Sequence, residues 1–312
     1  MSTLTQFVTH TLHGLQYGFI LFLIASGLTI VLGILDVLNL AHGELFALGA
    51  YVGFSVLGFL TGLVAPPSDP VSQAVFLVVV LVGAGLAALL LVPVGAFLET
   101  TLFRPIYDRD DVYQLVLTFA LLLIIKDVNK LVWGPTSLRL QGVYSGINSI
   151  PLATYVGLTY PTYNVVIILV GAVVVVALFY FFNRTRTGRI IRATAIDREM
   201  ATAIGVNTTR TFTLVFALGT FFAGFAGAMF LPPTNASLSM GAKPLVLSFV
   251  VIVIGGLGSL RGAFVGALLV GVLSRWAIWQ YPPAELAVPF AIMAVILLVK
   301  PDGLFGTWGE TA

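Results

Sequence analysis

The sequence predicts an all-α fold, a polytopic transmembrane helix bundle of about eight to nine spans with interrupted helices. Three observations predict it. Of the 312 residues, 59% are hydrophobic and only 9% are charged, against roughly 25% charged in a soluble domain. A chain this apolar cannot cover itself with polar surface, so lipid is its solvent. The apolar residues also fall in runs of about 20, the length a helix needs to cross a hydrocarbon layer about 30 Å thick. In lipid the backbone must satisfy its own hydrogen bonds, so such runs are helices. A barrel would show alternating segments of about ten residues, and the sequence has none. Residues 1–312 therefore read as a single transmembrane domain.

The elements follow in order. Residues 1–13 contain no Lys or Arg, unlike the basic start of a secretory leader, so the first apolar run, 14–35, reads as a retained span. A short interrupted stretch, 36–44, leads into a second span ending near residue 62. The loop 64–73 carries Pro66, Pro67 and Pro70. The third span, 74–97, contains Pro93, which removes a helical hydrogen bond and predicts a kink. A polar loop, 99–111, precedes the fourth span, 112–133. Residues 134–163 are rich in Gly, Ser, Thr, Tyr and Pro and read as an ordered extramembrane loop. The fifth span is 164–182, and the main charged segment, 183–210, separates it from the sixth, 211–231. After a loop at 232–244 come the runs 245–257 and 263–279, divided by Gly258-Ser-Leu-Arg-Gly262. The last run, 285–299, stops at Lys300-Pro-Asp-Gly303, where Pro301 ends the helix and Lys300 suits its negative end.

Orientation follows from Lys and Arg in short loops, which mark the cytoplasmic side. The segment 183–210 holds Arg184, Arg186, Arg189, Arg192, Arg198 and Arg210, and the loop 99–111 adds Arg104 and Arg109. The loops on the other face together hold only Arg139 and Lys243. We therefore expect 184–210 to be a cytoplasmic loop and 134–163 an external one. Nine spans would place the N-terminus outside and the C-terminus in the cytoplasm.

Several chemistries are excluded. The chain has no cysteine, hence no disulfide, thiolate metal site or Cys nucleophile. Its net charge of +2 is too small to suggest nucleic acid. It has no Gly-Lys-Ser/Thr sequence, hence no phosphate-binding loop of its own. No paired His or Asp constellation lies within the spans, so no catalytic residue is assigned. His42 and Glu44 alone are too few to hold a metal.

Four features remain. Over 189–205, Ile190, Ala193, Ile196, Met200 and Ile204 fall near one helical face, and Gly205-Val-Asn207 would end the helix. Two readings stay open: a basic helix lying on anionic lipid, or a docking helix in a groove of a cytoplasmic partner. In the second, Arg192, Asp197 and Arg198 sit on the polar side, and Glu199, Ala201 and Gly205 fit the spacing E-x-A-x-x-x-G, where small residues allow close approach. The break at 36–44 places Asn39, His42, Gly43 and Glu44 at or within the membrane, where ionisable groups are costly. They form either a helix cap with a snorkelling pair at the cytoplasmic interface or a gate in a translocation path. The break holding Gly258, Arg261 and Gly262 has a parallel layout, suggests a faint internal repeat and is a second candidate for the translocation path or gate. Gly258, Gly262 and Gly266, like Gly49 and Gly53, form small-residue stripes suited to close helix packing. Lys126, Asp127 and Lys130 lie in the outer half of the fourth span, either snorkelling outward or lining an external vestibule. Arg275 could likewise face a partner or snorkel.

Three stretches stand out together: Gly33-Ile-Leu-Asp-Val-Leu-Asn-Leu-Ala-His-Gly-Glu-Leu-Phe-Ala-Leu-Gly-Ala-Tyr51, Ala195-Ile-Asp-Arg-Glu-Met-Ala-Thr-Ala-Ile-Gly-Val-Asn207 and Val253-Ile-Gly-Gly-Leu-Gly-Ser-Leu-Arg-Gly-Ala-Phe-Val-Gly-Ala267. Through them the chain resembles permease subunits of branched-chain amino acid (Liv-type) ABC importers. Met200 stands where the common pattern has Ala. The resemblance implies a prokaryotic inner-membrane subunit, itself not an enzyme, forming half of a path for Leu, Ile and Val. It implies a second homologous permease subunit, two cytoplasmic ATPase subunits carrying ATP and Mg, an external (periplasmic or extracellular) substrate-binding protein, and no cofactor on this chain. The segment 189–205 would be the coupling helix on the ATPase. Urea, short amides and aromatic acids are the alternative substrates in similar permeases. A self-sufficient secondary transporter is the competing class, but the spans offer few carboxylates besides Glu44 and Asp127 to bind a coupling ion.

Overall fold

The computed structural model describes residues 3–64, 67–107, 109–148 and 160–306. Each expected apolar run is a helix: α1 (Thr3–Leu35), α2 (His42–Gly62), α3 (Pro70–Leu98), α4 (Asp111–Trp133), α6 (Thr162–Arg184), α9 (Thr208–Phe230), α10 (Ala242–Gly255), α11 (Leu260–Gln280) and α12 (Ala287–Val299). Between them lie α5 (Gln141–Asn148), α7 (Arg186–Ile196) and α8 (Arg198–Ala203). Among the described residues, six helices are long and apolar enough to cross a membrane: α1, α2, α3 with its continuation to Ile106, α6, α9 and α11. α10 and α12 are shorter, and α4 carries Asp111, Lys126, Asp127 and Lys130. The protein is an all-α multi-pass membrane bundle.

Helix ends follow local chemistry. α1 starts earlier than its apolar run, and there Thr9 and Thr11 donate their hydroxyls back to the carbonyls of Thr5 and Phe7. Asp69 caps α3, accepting from the backbone N–H of Val71 and Ser72 while Ser72 bonds back. Those bonds hold the Asp69 carboxyl below its usual range. Pro93 lies inside α3, which continues through it. Of the loop 134–163, residues 149–159 lie outside the described residues. Leu138 pairs with Ala236 across two loops.

α1 and α9 form the centre. α1 is buried almost continuously from Phe19 to Leu32 and packs against α11, α9, α10 and α6. α9 packs against α1, α2 and α3. The outer helices are inverted relative to a soluble protein. α4 buries Gln114, Thr118 and Asn129 and exposes Val116, Phe119, Ile124 and Leu131. Such a surface is stable only against lipid or another apolar surface. The C-terminal turn closes the bundle, with Leu304 and Phe305 donating backbone N–H groups to the carbonyls of Ile254 and Gly255 at the end of α10. Lys300 Nζ donates to the Leu304 carbonyl in the same turn.

α3 ends in a π-turn (Glu99–Phe103) that carries a buried carboxylate. Glu99 accepts from Arg104 at 2.8 Å, Thr213 of α9 at 2.7 Å and Tyr107 at 3.2 Å. Burial and the Glu99 charge push the Tyr107 hydroxyl up, so it remains a donor. The cluster ties α3 to α9. Removing one partner of a fully buried pair costs about 3–5 kcal/mol. Arg104 is 39% exposed and can rehydrate, so Glu99→Ala is expected to cost nearer the 1–3 kcal/mol of unsatisfied buried groups. Thermal unfolding in detergent would show this as a lowered midpoint.

Candidate functional site

The bundle is interrupted at mid-depth. His42, the first residue of α2, has Nε2 3.0 Å from the carbonyl oxygen of Ile24. Ile24 lies eleven residues before the end of α1, about 16 Å along its axis. The segment 36–41 therefore runs back into the bundle beside α1. Asp36 makes the reversal at φ +54°, its N–H bonded to Leu32. Asn39 accepts from the N–H of Ala41 at 3.1 Å, and Leu38 accepts from Thr118 of α4 at 3.2 Å. Non-helical backbone at this depth is tolerated only when buried in protein or lining a cavity, and Val37, Asn39 and Ala41 are buried.

α10 begins at the same level. A Cβ on Gly43 would lie 2.5 Å from the Gly241 carbonyl and 2.7 Å from Leu245 Cβ. Gly241 is the N-cap of α10, so the N-termini of α2 and α10 abut. From there α2 runs toward the end where Trp133 bonds Ser55. α10 runs the other way, to the level where Gly33 meets Gly258. Two positive helix ends thus converge within the bundle. His42 and Glu44 are both buried inside the bundle.

α2 packs against α4, where Lys126 is half-buried. Glu44 Oε2, Tyr51 OH, His42 Nδ1 and both amide atoms of Asn129 are buried without a partner among the described residues. Asp127 and Lys130 stay exposed on α4.

A cavity of 360 Å³ lies beside the α10 N-terminus and reaches toward the end of the bundle that holds the N-terminus. Volumes of this order suit a small metabolite. Arg275 lies 5.0 Å over the Tyr17 ring in its wall. Lys243 and Glu285 form an ion pair there, which holds the Glu285 carboxyl below its usual range. Ser274 Oγ is buried in the wall with no partner among the described residues. By sequence alone Arg275 could face a partner or snorkel, and the residues of this cavity are not brought together. Its signal was sparse charge at the edges of three separate apolar runs.

The second break does not join the first. Gly258 and Arg261 lie at the other end of α10, and Gly262 packs on Gly255 in the tight α10–α11 turn. The expected gate residues therefore fall into two groups, about 13 Å apart along α1 by helix rise. The parallel to the first break is one of sequence layout only, since Gly258–Gly262 joins helices at the end of the bundle.

Over 189–205 the structure departs from a single helix. Asp197 leaves helical geometry, ends α7 and caps α8 by accepting from Met200 N–H at 2.8 Å. The buried side of α7 is Gly188, Ile191 and Thr194, not the expected face. Ile196, Met200 and Ile204 are 88%, 59% and 72% exposed. Ala201 is buried, Glu199 is exposed, and Arg198 stacks 4.6 Å over Phe212. Gly205 takes φ +88° and turns the chain toward α9. Arg192 bonds Asn183 at 3.1 Å.

A family model described as "Branched-chain amino acid transport system / permease component" matches residues 10–297. The chain is 28% identical to the high-affinity branched-chain amino acid transport system permease protein LivH of Salmonella typhimurium, over 96% of each chain. It is 25% identical to BraD of Pseudomonas aeruginosa, a permease protein of the same description, over 98% of each. It is 23% identical to LivM of Salmonella typhimurium, over 90% of this chain and 67% of that one. No solved structure matches.

Proposed function

The chain belongs to the family of branched-chain amino acid transport permease components, and from that premise we propose that it forms half of the path by which an ABC importer moves Leu, Ile and Val. A second, homologous permease subunit supplies the other half; the likeness to both LivH and LivM supports such a pair. Two cytoplasmic ATPase subunits, binding ATP and Mg, supply the energy, and an external binding protein delivers the substrate. The arginine-rich end carrying α7 and α8 faces the cytoplasm, and the cavity beside Arg275 opens on the external half. α8, with Glu199, Ala201 and Gly205, docks on the ATPase.

The observation that carries this reading is the meeting of two helix N-termini at Gly43 and Gly241, with the cavity beside it. Transporters place their sites where discontinuous helices turn positive ends toward anionic groups. An amino acid zwitterion fits the cavity: its carboxylate meets Arg275 and Ser274, and its ammonium meets Glu285. Lys126, Asp127 and Lys130 are charges at the external approach, and Asn39, His42, Gly43 and Glu44 form the gate below.

The test is purification from native membranes with associated subunits, followed by reconstitution in vesicles. ATP-dependent uptake of Leu, Ile or Val in the presence of the binding protein is expected. Full ATP-independent transport by this chain alone would overturn the reading, and selective uptake of urea or an aromatic acid would replace the substrate. Arg275→Gln removes a charge-assisted hydrogen bond of about 1.5–3 kcal/mol. At about 1.4 kcal/mol per tenfold, uptake at saturating binding protein is expected to fall tenfold or more.

A further inference from the structure

A second cavity, of 220 Å³, lies at the arginine-rich end, enclosed by α1, α6, α7 and the α10–α11 turn. Its inner wall is apolar, with Ile30, Phe179 and Phe182. Its rim carries Arg192 and Arg261, and among the described residues no acidic side chain lines it. Neither arginine has a carboxylate partner among the described residues. Arg192 is held toward the rim by its bond to Asn183.

α11 begins at this cavity. Ser259 caps it by accepting from Gly262 N–H at 3.1 Å. The first-turn N–H groups of a helix have no partner inside it, and here they add positive potential at the rim that carries Arg261. A separate observation points to a ligand as well. Thr29 Oγ1, in the cavity wall, is buried without a partner among the described residues, and a buried hydroxyl without a bond is costly.

We propose that this cavity binds the phosphate group of an anionic phospholipid. Two unpaired guanidinium groups match a phosphate in charge and in fork geometry. The helix end and the Thr29 hydroxyl supply further donors. Free phosphate shares that chemistry, but it would leave the apolar wall of Ile30, Phe179 and Phe182 unfilled, whereas an acyl chain covers it. The bound lipid joins α7 to α1 and α11 and so braces the α7–α8 segment. This site is independent of the substrate path.

The test is native mass spectrometry of the full chain, with its co-purifying subunits, delipidated in detergent. Phosphatidylglycerol is expected to be retained about tenfold better than phosphatidylcholine, and millimolar inorganic phosphate should not displace it. The double variant Arg192→Gln with Arg261→Gln should lose the preference. Arg261→Gln alone, at an exposed position that leaves the Arg192–Asn183 bond intact, should lose part of it even if the double variant fails to assemble. Displacement by inorganic phosphate would overturn the lipid assignment in favour of a soluble phosphate-bearing ligand. Unchanged preference in the Arg261 variant would overturn the site.

Discussion

Gly205→Arg is expected to leave membrane insertion normal and to reduce substrate-stimulated ATP hydrolysis in the assembled complex to its basal rate. The position has two properties that separate these effects. Its φ of +88° lets Val206 N–H reach the Ala201 carbonyl and close the end of α8, a geometry that costs an ordinary L-residue about 1–2 kcal/mol. Around it, a Cβ would meet nothing within 4 Å among the described residues, so the added side chain starts into open space. Any large loss must then arise where a partner surface lies against α8. Overpacking such a contact costs about 1–3 kcal/mol, roughly fivefold to a hundredfold in docking. Glu199→Lys, at an exposed carboxylate, should give the same loss through charge alone. Gly205→Asn, which tolerates positive φ, separates backbone strain from bulk and should keep most of the stimulation. Full stimulation in both Gly205→Arg and Glu199→Lys would remove the docking role of α8.

Gly43→Leu is expected to abolish both stable assembly and transport. Even one carbon at this position would overlap the Gly241 carbonyl and press on Leu245 Cβ. Both neighbours belong to the backbone or first side-chain atom of α10, so neither can swing away. The cost is at least the roughly 1–3 kcal/mol of core overpacking, and it falls where two helix ends must meet. Gly62→Leu is the control: a Cβ there meets nothing within 4 Å among the described residues, and it should leave the melting midpoint and uptake unchanged. Measuring both variants by thermal unfolding in detergent and by reconstituted uptake decides the matter. A Gly43→Leu protein that melts and transports like the parent would show that the two N-termini need not abut.

Much of the fold was legible because lipid imposes a simple rule. Apolar length sets each helix, and all nine expected runs appear with ends within a few residues apart from the start of α1. Gly205 was also legible, since a glycine after a helical pattern signals a left-handed turn. The division of 189–205 was not. Asp197 interrupts an amphipathic pattern that reads equally well as one helix, and its capping bond wins locally. The face carrying Ile196, Met200 and Ile204 then stays exposed while Ile191 is buried. The ambiguity at His42 and Glu44 could not be resolved from spacing, because a polar break in an apolar run looks alike at an interface and at mid-depth.

The sequence by itself determined a membrane-embedded all-α bundle, its family and the sided distribution of its arginines, because solvation in lipid and charge are properties of local segments. Depth and convergence were decided only in three dimensions. His42 lies against Ile24, Gly43 against Gly241, and Arg275, Lys243 and Glu285 share one cavity wall. These groups are far apart along the chain, and no periodicity links them. What joins them is the packing of small residues that lets α1, α2, α9 and α10 approach closely enough for two helices to begin inside the bundle.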